Sequence, residues 1–141
     1  MAFAYFNRLT RTQQRIYLKS DSVATIPLVD APTFDALVTE LSEALSSKDQ
    51  SRIQRASQAL LNRLTASLGV PSIRLEVLAA RPSRSWGELH GLYTGAGRGR
   101  SARITVWMRT AHHRRVVAFR TFLRTILHEL CHHLDYERFG L

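Results

Sequence analysis

The C-terminal segment of the sequence is long and amphipathic. Between residues 114 and 139, apolar side chains recur at three- and four-residue spacing, which is typical of one face of an α-helix. Gly140 follows, at the position where a helix commonly ends in a left-handed residue. The spacing therefore predicts a helix from about Arg114 to Phe139. Its apolar face consists of Val116, Phe119, Leu123, Ile126, Leu127, Leu130 and Leu134.

The opposite face of this predicted helix carries His128, Glu129 and His132 in the pattern H-E-x-x-H. Residues four apart lie one turn from each other on the same face, so both imidazoles can bind one tetrahedral zinc ion. Because the histidines point nearly opposite the apolar stripe, they are not expected to be core residues, and the remaining alternative is an exposed polar face. Glu129 is placed to take a proton from a zinc-activated water and pass it to the leaving amine.

A catalytic zinc ion normally has three protein ligands, and the sequence does not reveal the third. In the pattern H-E-x-x-H-x-x-G-x-x-H that ligand would be at position 138, which is an arginine, so this subclass is excluded. His90, on a predicted strand, and Asp135, on the ligand face, are weak candidates. His112 and His113 cannot reach the same ion if the helix begins near Arg114. Otherwise we expect the third ligand to follow the helix, beyond the sequence given.

Two further residues of the motif region have less distinctive positions. Cys131 points sideways on the helical wheel and is predicted to fill space, although a thiolate also binds zinc. His133 is at the edge of the apolar face, where we predict a boundary residue.

The rest of the sequence predicts an α+β layout: helix, helix, strand, hairpin and long helix. Helices are expected over 33–45 and 50–68, the second ending at Gly69, and alternating polarity predicts a strand at 72–77. The strands 88–94 and 102–109 flank a glycine-rich run, which is typical of a hairpin. This run resembles a phosphate loop but lacks the G-x-G-x-x-G spacing, so we interpret it as a turn. Residues 1–30 are the least informative, with a short helix predicted from Tyr5 to Lys19 and an extended segment from Val23 to Val29.

Length and composition favour one domain over residues 1–141, since 45% of the residues are hydrophobic. No apolar run approaches the roughly 20 residues that span a bilayer, so no membrane partner is expected. The N-terminal residues lack the pattern of a signal peptide. The single cysteine, Cys131, forms no internal disulfide. We therefore expect a cytoplasmic protein.

The net charge of +9 favours a DNA or other polyanion partner as an alternative. Nearly all of the positive charge is arginine, a bias that a GC-rich genome also produces. The arginines are densest in the second half of the chain, at Arg98, Arg100, Arg103, Arg109, Arg114, Arg115, Arg120 and Arg124.

The stretch from Gly87 to Leu141 resembles the SprT-like zinc metallopeptidases, the broad group that includes Spartan. The likeness rests on the strand ARITVWMR and the following helix FRTFLRTILHELCHHLDY, which contains H-E-x-x-H. It implies a zincin-like fold and a zinc-dependent endopeptidase that acts on extended protein segments. It also implies that His128 and His132 bind zinc, that Glu129 is the general base or acid, and that a third histidine follows the helix.

The resemblance further implies a substrate-binding strand. The strand containing Ile104, Thr105, Val106 and Trp107 would be the sheet edge that pairs with an extended substrate, as in β-strand addition. Some SprT-like proteins cleave proteins bound to DNA, with which the basic charge is compatible.

Two other functions are consistent with the sequence. One is a basic nucleic-acid-binding domain whose H-E-x-x-H site is incomplete or vestigial, and whose binding would weaken steeply with salt. The other is a regulator that uses the metal only for stability and unfolds on chelation.

Overall fold

A computed structural model describes residues 10–11, 31–84, 87–97 and 99–140 of the chain. Apart from Thr10 and Arg11, the predicted helix Tyr5–Lys19 lies outside these residues, as does the predicted extended segment Val23–Val29.

Within residues 31–84, two helices precede the sheet, as the sequence predicts: α1 (Ala31–Ser47) and α2 (Gln50–Leu68). The carboxylate of Asp49 accepts hydrogen bonds from the first free backbone amides of α2, those of Ser51 and Arg52. Gly69 ends the helix with φ 68°, a left-handed conformation that glycine adopts without steric cost. Both ends of α2 are therefore fixed by neighbouring residues in the sequence.

The strands form one mixed sheet and one small ribbon. In chain order they are β1 (Ile73–Ala80), β2 (Ser83–Arg84), β3 (Gly87–Glu88), β4 (Gly91–Thr94) and β5 (Ala102–Arg109). The main sheet has the order β1-β5-β4, with β5 parallel to β1 and antiparallel to β4. The predicted hairpin is confirmed as β4 and β5. Its first strand is shorter than predicted, because Leu89 and His90 lie between β3 and β4 rather than in a strand.

Side chains of α2 cover the outer edge of β1. Gln54 donates to the carbonyl of Leu75 and accepts from the amide of Val77. Gln58 likewise donates to the carbonyl of Ile73 and accepts from the amide of Leu75. These amide side chains satisfy the backbone as a neighbouring strand would, so the edge is closed to further pairing.

One face of the sheet packs against the helices. The buried apolar side chains of the helices and of this face form a single cluster. On the opposite face, Arg74 and Arg103 are exposed neighbours on the paired strands β1 and β5. Alternation along each strand thus separates a core face from a basic outer face.

The third helix, α3 (Phe119–Leu134), begins later than the sequence predicts. Before it, Arg114 adopts φ 51° in a turn, and the amide of Val117 donates to the carbonyl of Met108 on β5. Residues 114–117 therefore turn back and run antiparallel to the end of β5, so the helix does not start there. A π-helical turn (Asp135–Phe139) continues α3 and ends at Gly140, whose φ is 73°.

The chain is therefore an α+β protein: from residue 31 onwards, the described part contains three helices and a small mixed sheet, in agreement with the predicted layout. None of the helices over the described ranges is long and apolar enough to cross a membrane.

Candidate metal centre

The helix α3 brings the three residues of the H-E-x-x-H pattern together. Potential ligand atoms of His128, Glu129 and His132 all lie within 4.8 Å of one another. The two imidazole rings have centroids 4.9 Å apart and are nearly perpendicular, with 87° between their planes. Within the part of the chain that the structure describes, no other group of three or more His, Cys, Asp or Glu residues is so arranged.

Burial differs between the histidines and the glutamate. His128 and His132 are exposed, as the helical wheel predicts, whereas Glu129 is only 7% exposed. Glu129 is buried because α3 packs close to β4: a Cβ atom at Gly91 would lie 3.2 Å from Oε1 of Glu129. The Glu129 side chain is therefore held between the helix and the sheet, while the two histidines are exposed.

A groove runs between β4 and α3 and contains this cluster. It consists of two adjoining hollows that share Gly91 and Glu129 as a common wall. The first hollow is lined also by Leu92, Tyr93, His132 and Asp135, and the second by His90, Thr121, Arg124, Thr125 and His128. We refer to the two hollows together as the site groove.

Tyr93 and His133 support the cluster from the core side. His133 is fully buried, and its Nε2 lies 2.9 Å from the carbonyl oxygen of Pro71. A carbonyl oxygen only accepts, so Nε2 carries a proton, and in the neutral ring Nδ1 accepts from the Tyr93 hydroxyl at 2.7 Å. The Tyr93 ring lies near-parallel to that of His132, with centroids 6.4 Å apart. His133 is thus a core residue, and its predicted boundary position is wrong.

The pKa values of two groups beside the cluster are raised. Burial, reinforced by the charge of Glu137, raises the pKa of Tyr93. Burial, reinforced by Asp135, also raises the pKa of the Cys131 thiol. In each case the partial burial of the group favours its neutral form, although Cys131 is exposed at its surface side.

The weak candidates for a third ligand line the site groove on opposite sides of the cluster. His90 is exposed in the hollow that contains His128, and Asp135 is in the hollow that contains His132. Neither belongs to the group whose ligand atoms lie within 4.8 Å of one another. His112 and His113 precede the later start of α3, in the turn at the end of β5, and also lie outside that group.

The strand expected to bind substrate is not at a sheet edge. β5, which contains Ile104, Thr105, Val106 and Trp107, is the central strand, paired with β1 on one side and β4 on the other. The side chains of Ile104, Val106 and Trp107 are also buried. The prediction that this strand is a free edge is therefore wrong, because its backbone groups are already used within the sheet.

The sequence did not single out Gly91 or Tyr93, both of which contribute to the site. The sequence contains little sign of their role, because each residue acts through a residue that is distant in the chain. Gly91 is in close contact with Glu129, and Tyr93 is hydrogen-bonded to His133. Only the position of β4 against α3 reveals these contacts.

The group of His128, Glu129 and His132 could hold a metal ion. Imidazole nitrogens and carboxylate oxygens are among the donors that zinc takes in proteins. Comparisons of the chain with family models, with curated protein sequences and with solved structures found no match.

Proposed function

We propose that the chain is a zinc-dependent metallopeptidase with a zincin-like active centre, in which His128 and His132 bind the metal and Glu129 is the catalytic base. The observation that carries this proposal is that the ligand atoms of these residues meet within 4.8 Å in the groove beside β4, the edge strand of the main sheet. Zinc, when bound, lowers the pKa of its water to about 7 and polarises a carbonyl.

Glu129 supplies the proton transfer. Its carboxylate takes a proton from the attacking water as a C–O bond forms at the scissile carbonyl, and gives that proton to the amide nitrogen as the C–N bond breaks. The packing of Gly91 against its side chain limits its rotamers, which keeps the carboxylate beside the histidines. The products are one carboxylate and one amine.

The substrate backbone pairs with the outer edge of β4. β5 is central, and the glutamines of α2 cover β1, so over the described residues β4 is the edge of the main sheet that remains open. Gly91, the first residue of β4, touches Glu129. An extended peptide on this edge lies along the site groove with its backbone beside the cluster, as β-strand addition requires.

The test compares the zinc-loaded chain with Glu129→Gln on an unfolded, carboxymethylated protein substrate. Glu137→Gln is the matched control, since it removes the same charge from an exposed glutamate of the π-helical turn. We expect Glu129→Gln to lower the cleavage rate by about 100-fold or more and Glu137→Gln to leave it unchanged. Equal rates for the wild type and Glu129→Gln would contradict the mechanism.

A second comparison tests the substrate class. The same substrate protein, folded with its disulfides intact, should resist cleavage, because its backbone is not available to pair with β4. Cleavage of the folded form at the rate of the unfolded form would contradict binding by strand addition.

A further inference from the structure

We propose that an arginine-lined hollow on the outer face of the sheet is a binding site for a phosphate group. The hollow is lined by Arg74, Thr94, Gly95, Gly99, Arg100, Ser101 and Arg103. The proposal concerns a second site and does not depend on the peptidase activity.

Sheet pairing places cationic side chains side by side. Arg74 on β1 is the register partner of Arg103 on β5, which in turn is paired with Thr94 on β4. Both arginines are exposed on the face away from the helices. Register partners lie side by side in a sheet, so one anion can contact both guanidinium groups.

The glycine-rich turn between β4 and β5 provides the third guanidinium. Arg100 lies against Gly97, where an added Cβ atom would be 3.1 Å from Nη2 of Arg100. Gly99 has φ 69°, a conformation that suits glycine, and it lines the hollow with Gly95. The turn thus places Arg100 in the lining of the same hollow as Arg74 and Arg103.

Carboxylates contribute little to this hollow. Among the residues that the structure describes, Glu76 is the one carboxylate in an ion pair with these arginines, at 3.7 Å from Arg103 and partly exposed. Such an exposed pair is weak and easily exchanged. The positive charge of Arg74 and Arg100 is therefore available to a ligand.

Three guanidinium groups line the hollow, and a phosphate has more charge and more acceptor oxygens to satisfy them than a single carboxylate has. Guanidinium groups bind phosphate oxygens through paired hydrogen bonds, and the hydroxyls of Thr94 and Ser101 add donors. The hollow has a volume of about 460 Å³, which is in the range of small-ligand sites. The phosphate therefore belongs either to a small molecule, such as a nucleotide, or to a nucleic-acid backbone.

Isothermal titration with inorganic pyrophosphate tests the site in the full-length chain. The double variant Arg74→Gln, Arg103→Gln is compared with Arg55→Gln, Arg120→Gln, which removes the same charge from exposed positions on α2 and α3. We expect the wild type and the control variant to bind pyrophosphate with a Kd below about 1 mM. The Kd of the Arg74→Gln, Arg103→Gln variant, the hollow variant, should be about 10-fold higher or more. Circular dichroism establishes that each variant is folded.

Three results would overturn the proposal: no saturable binding of pyrophosphate by the wild type, equal weakening in both double variants, or malonate binding as tightly as pyrophosphate. A second arm repeats the titration with ATP and with a single-stranded oligonucleotide at two salt concentrations. The phosphate belongs to a nucleotide if ATP binds more tightly, and to a nucleic-acid backbone if the oligonucleotide does. In either case, the hollow variant should bind that ligand more weakly. Affinity for both ligands that is unchanged in the hollow variant would contradict the site.

Discussion

Gly91 touches Glu129 so closely that a Cβ atom at position 91 would lie 3.1 Å from Cγ and 3.2 Å from Oε1 of the glutamate. The same atom would be 2.7 Å from Cγ2 of Thr125, a distance that side chains do not tolerate. The start of β4 and the middle of α3 are therefore in contact where the proposed catalytic base lies.

This contact predicts that Gly91→Ala destabilises the protein by about 1–3 kcal/mol, because the strand and the helix must separate to admit a methyl group. Adding Thr125→Ser, which removes Cγ2, should recover part of the loss. Denaturant unfolding measures both effects. Gly95→Ala is the control, since its Cβ would meet Tyr136 at an ordinary 3.6 Å. Equal stability of Gly91→Ala and the wild type would contradict the close packing.

The buried hydrogen bonds of His133 predict a second stability effect. His133→Leu leaves the Pro71 carbonyl and the Tyr93 hydroxyl without their partner, at a cost of about 2 kcal/mol or more. Tyr93→Phe removes one hydrogen bond and should cost about 1 kcal/mol. Thermal unfolding compares these variants with His113→Leu, which changes an exposed histidine. If His133→Leu and His113→Leu were equally stable, His133 would not be the buried residue described above.

The glutamines of α2 predict a link between stability and association. Replacing both Gln54 and Gln58 by alanine removes four hydrogen bonds to β1, with a cost of about 1 kcal/mol for each bond. The exposed strand edge should then pair between molecules. Sedimentation velocity, with Arg55→Ala on the same helix as a control, should detect more self-association in the glutamine variant than in the wild type. If the glutamine variant were as stable as the wild type and did not associate, the two glutamines would not be protecting the outer edge of β1.

The ion pair between α1 and α2 predicts a pH dependence. Arg52 donates two hydrogen bonds to Glu40, and chiefly for this reason the pKa of Glu40 is lowered from 4.5. A lowered pKa in the folded state adds stability above the unfolded value, and this stability is lost as the pH falls through the folded value.

Glu40→Gln should therefore lower Tm slightly at neutral pH, and the difference from the wild type should vanish in acid. Thermal unfolding between neutral pH and about pH 3 measures it. Glu43→Gln, whose carboxylate is 3.6 Å from Arg52, should have a smaller effect. A Tm difference for Glu40→Gln that is constant across this range would contradict the role of the Glu40 charge.

The sequence predicts those parts of the molecule that depend on neighbours in the chain. Asp49 and Gly69 fix the ends of α2, and the four-residue spacing of His128 and His132 places them on one helix face. Parts that depend on distant pairing were missed. Val116 fits the helical spacing of α3, yet it forms an antiparallel bridge with Arg109 on β5, and the amide of the next residue, Val117, donates to the carbonyl of Met108.

The same limit explains the errors about β5 and His133. Strand alternation identifies a strand and its buried face but not its neighbours, and the parallel pairing of β1 with β5 bridges residues far apart in the sequence. A helical wheel likewise places His133 at the edge of the apolar face. It does not include Pro71 and Tyr93, which surround the ring from two other segments.

The most direct measurement is zinc binding by the purified, folded chain, compared between the wild type and His128→Ala with His132→Ala. We expect one zinc ion per wild-type chain and none in this double variant. A control double variant, His112→Ala with His113→Ala, should retain the zinc ion. Zinc bound equally by the His128 and His132 variant, or no zinc bound by the folded wild type, would contradict a metal centre at this site.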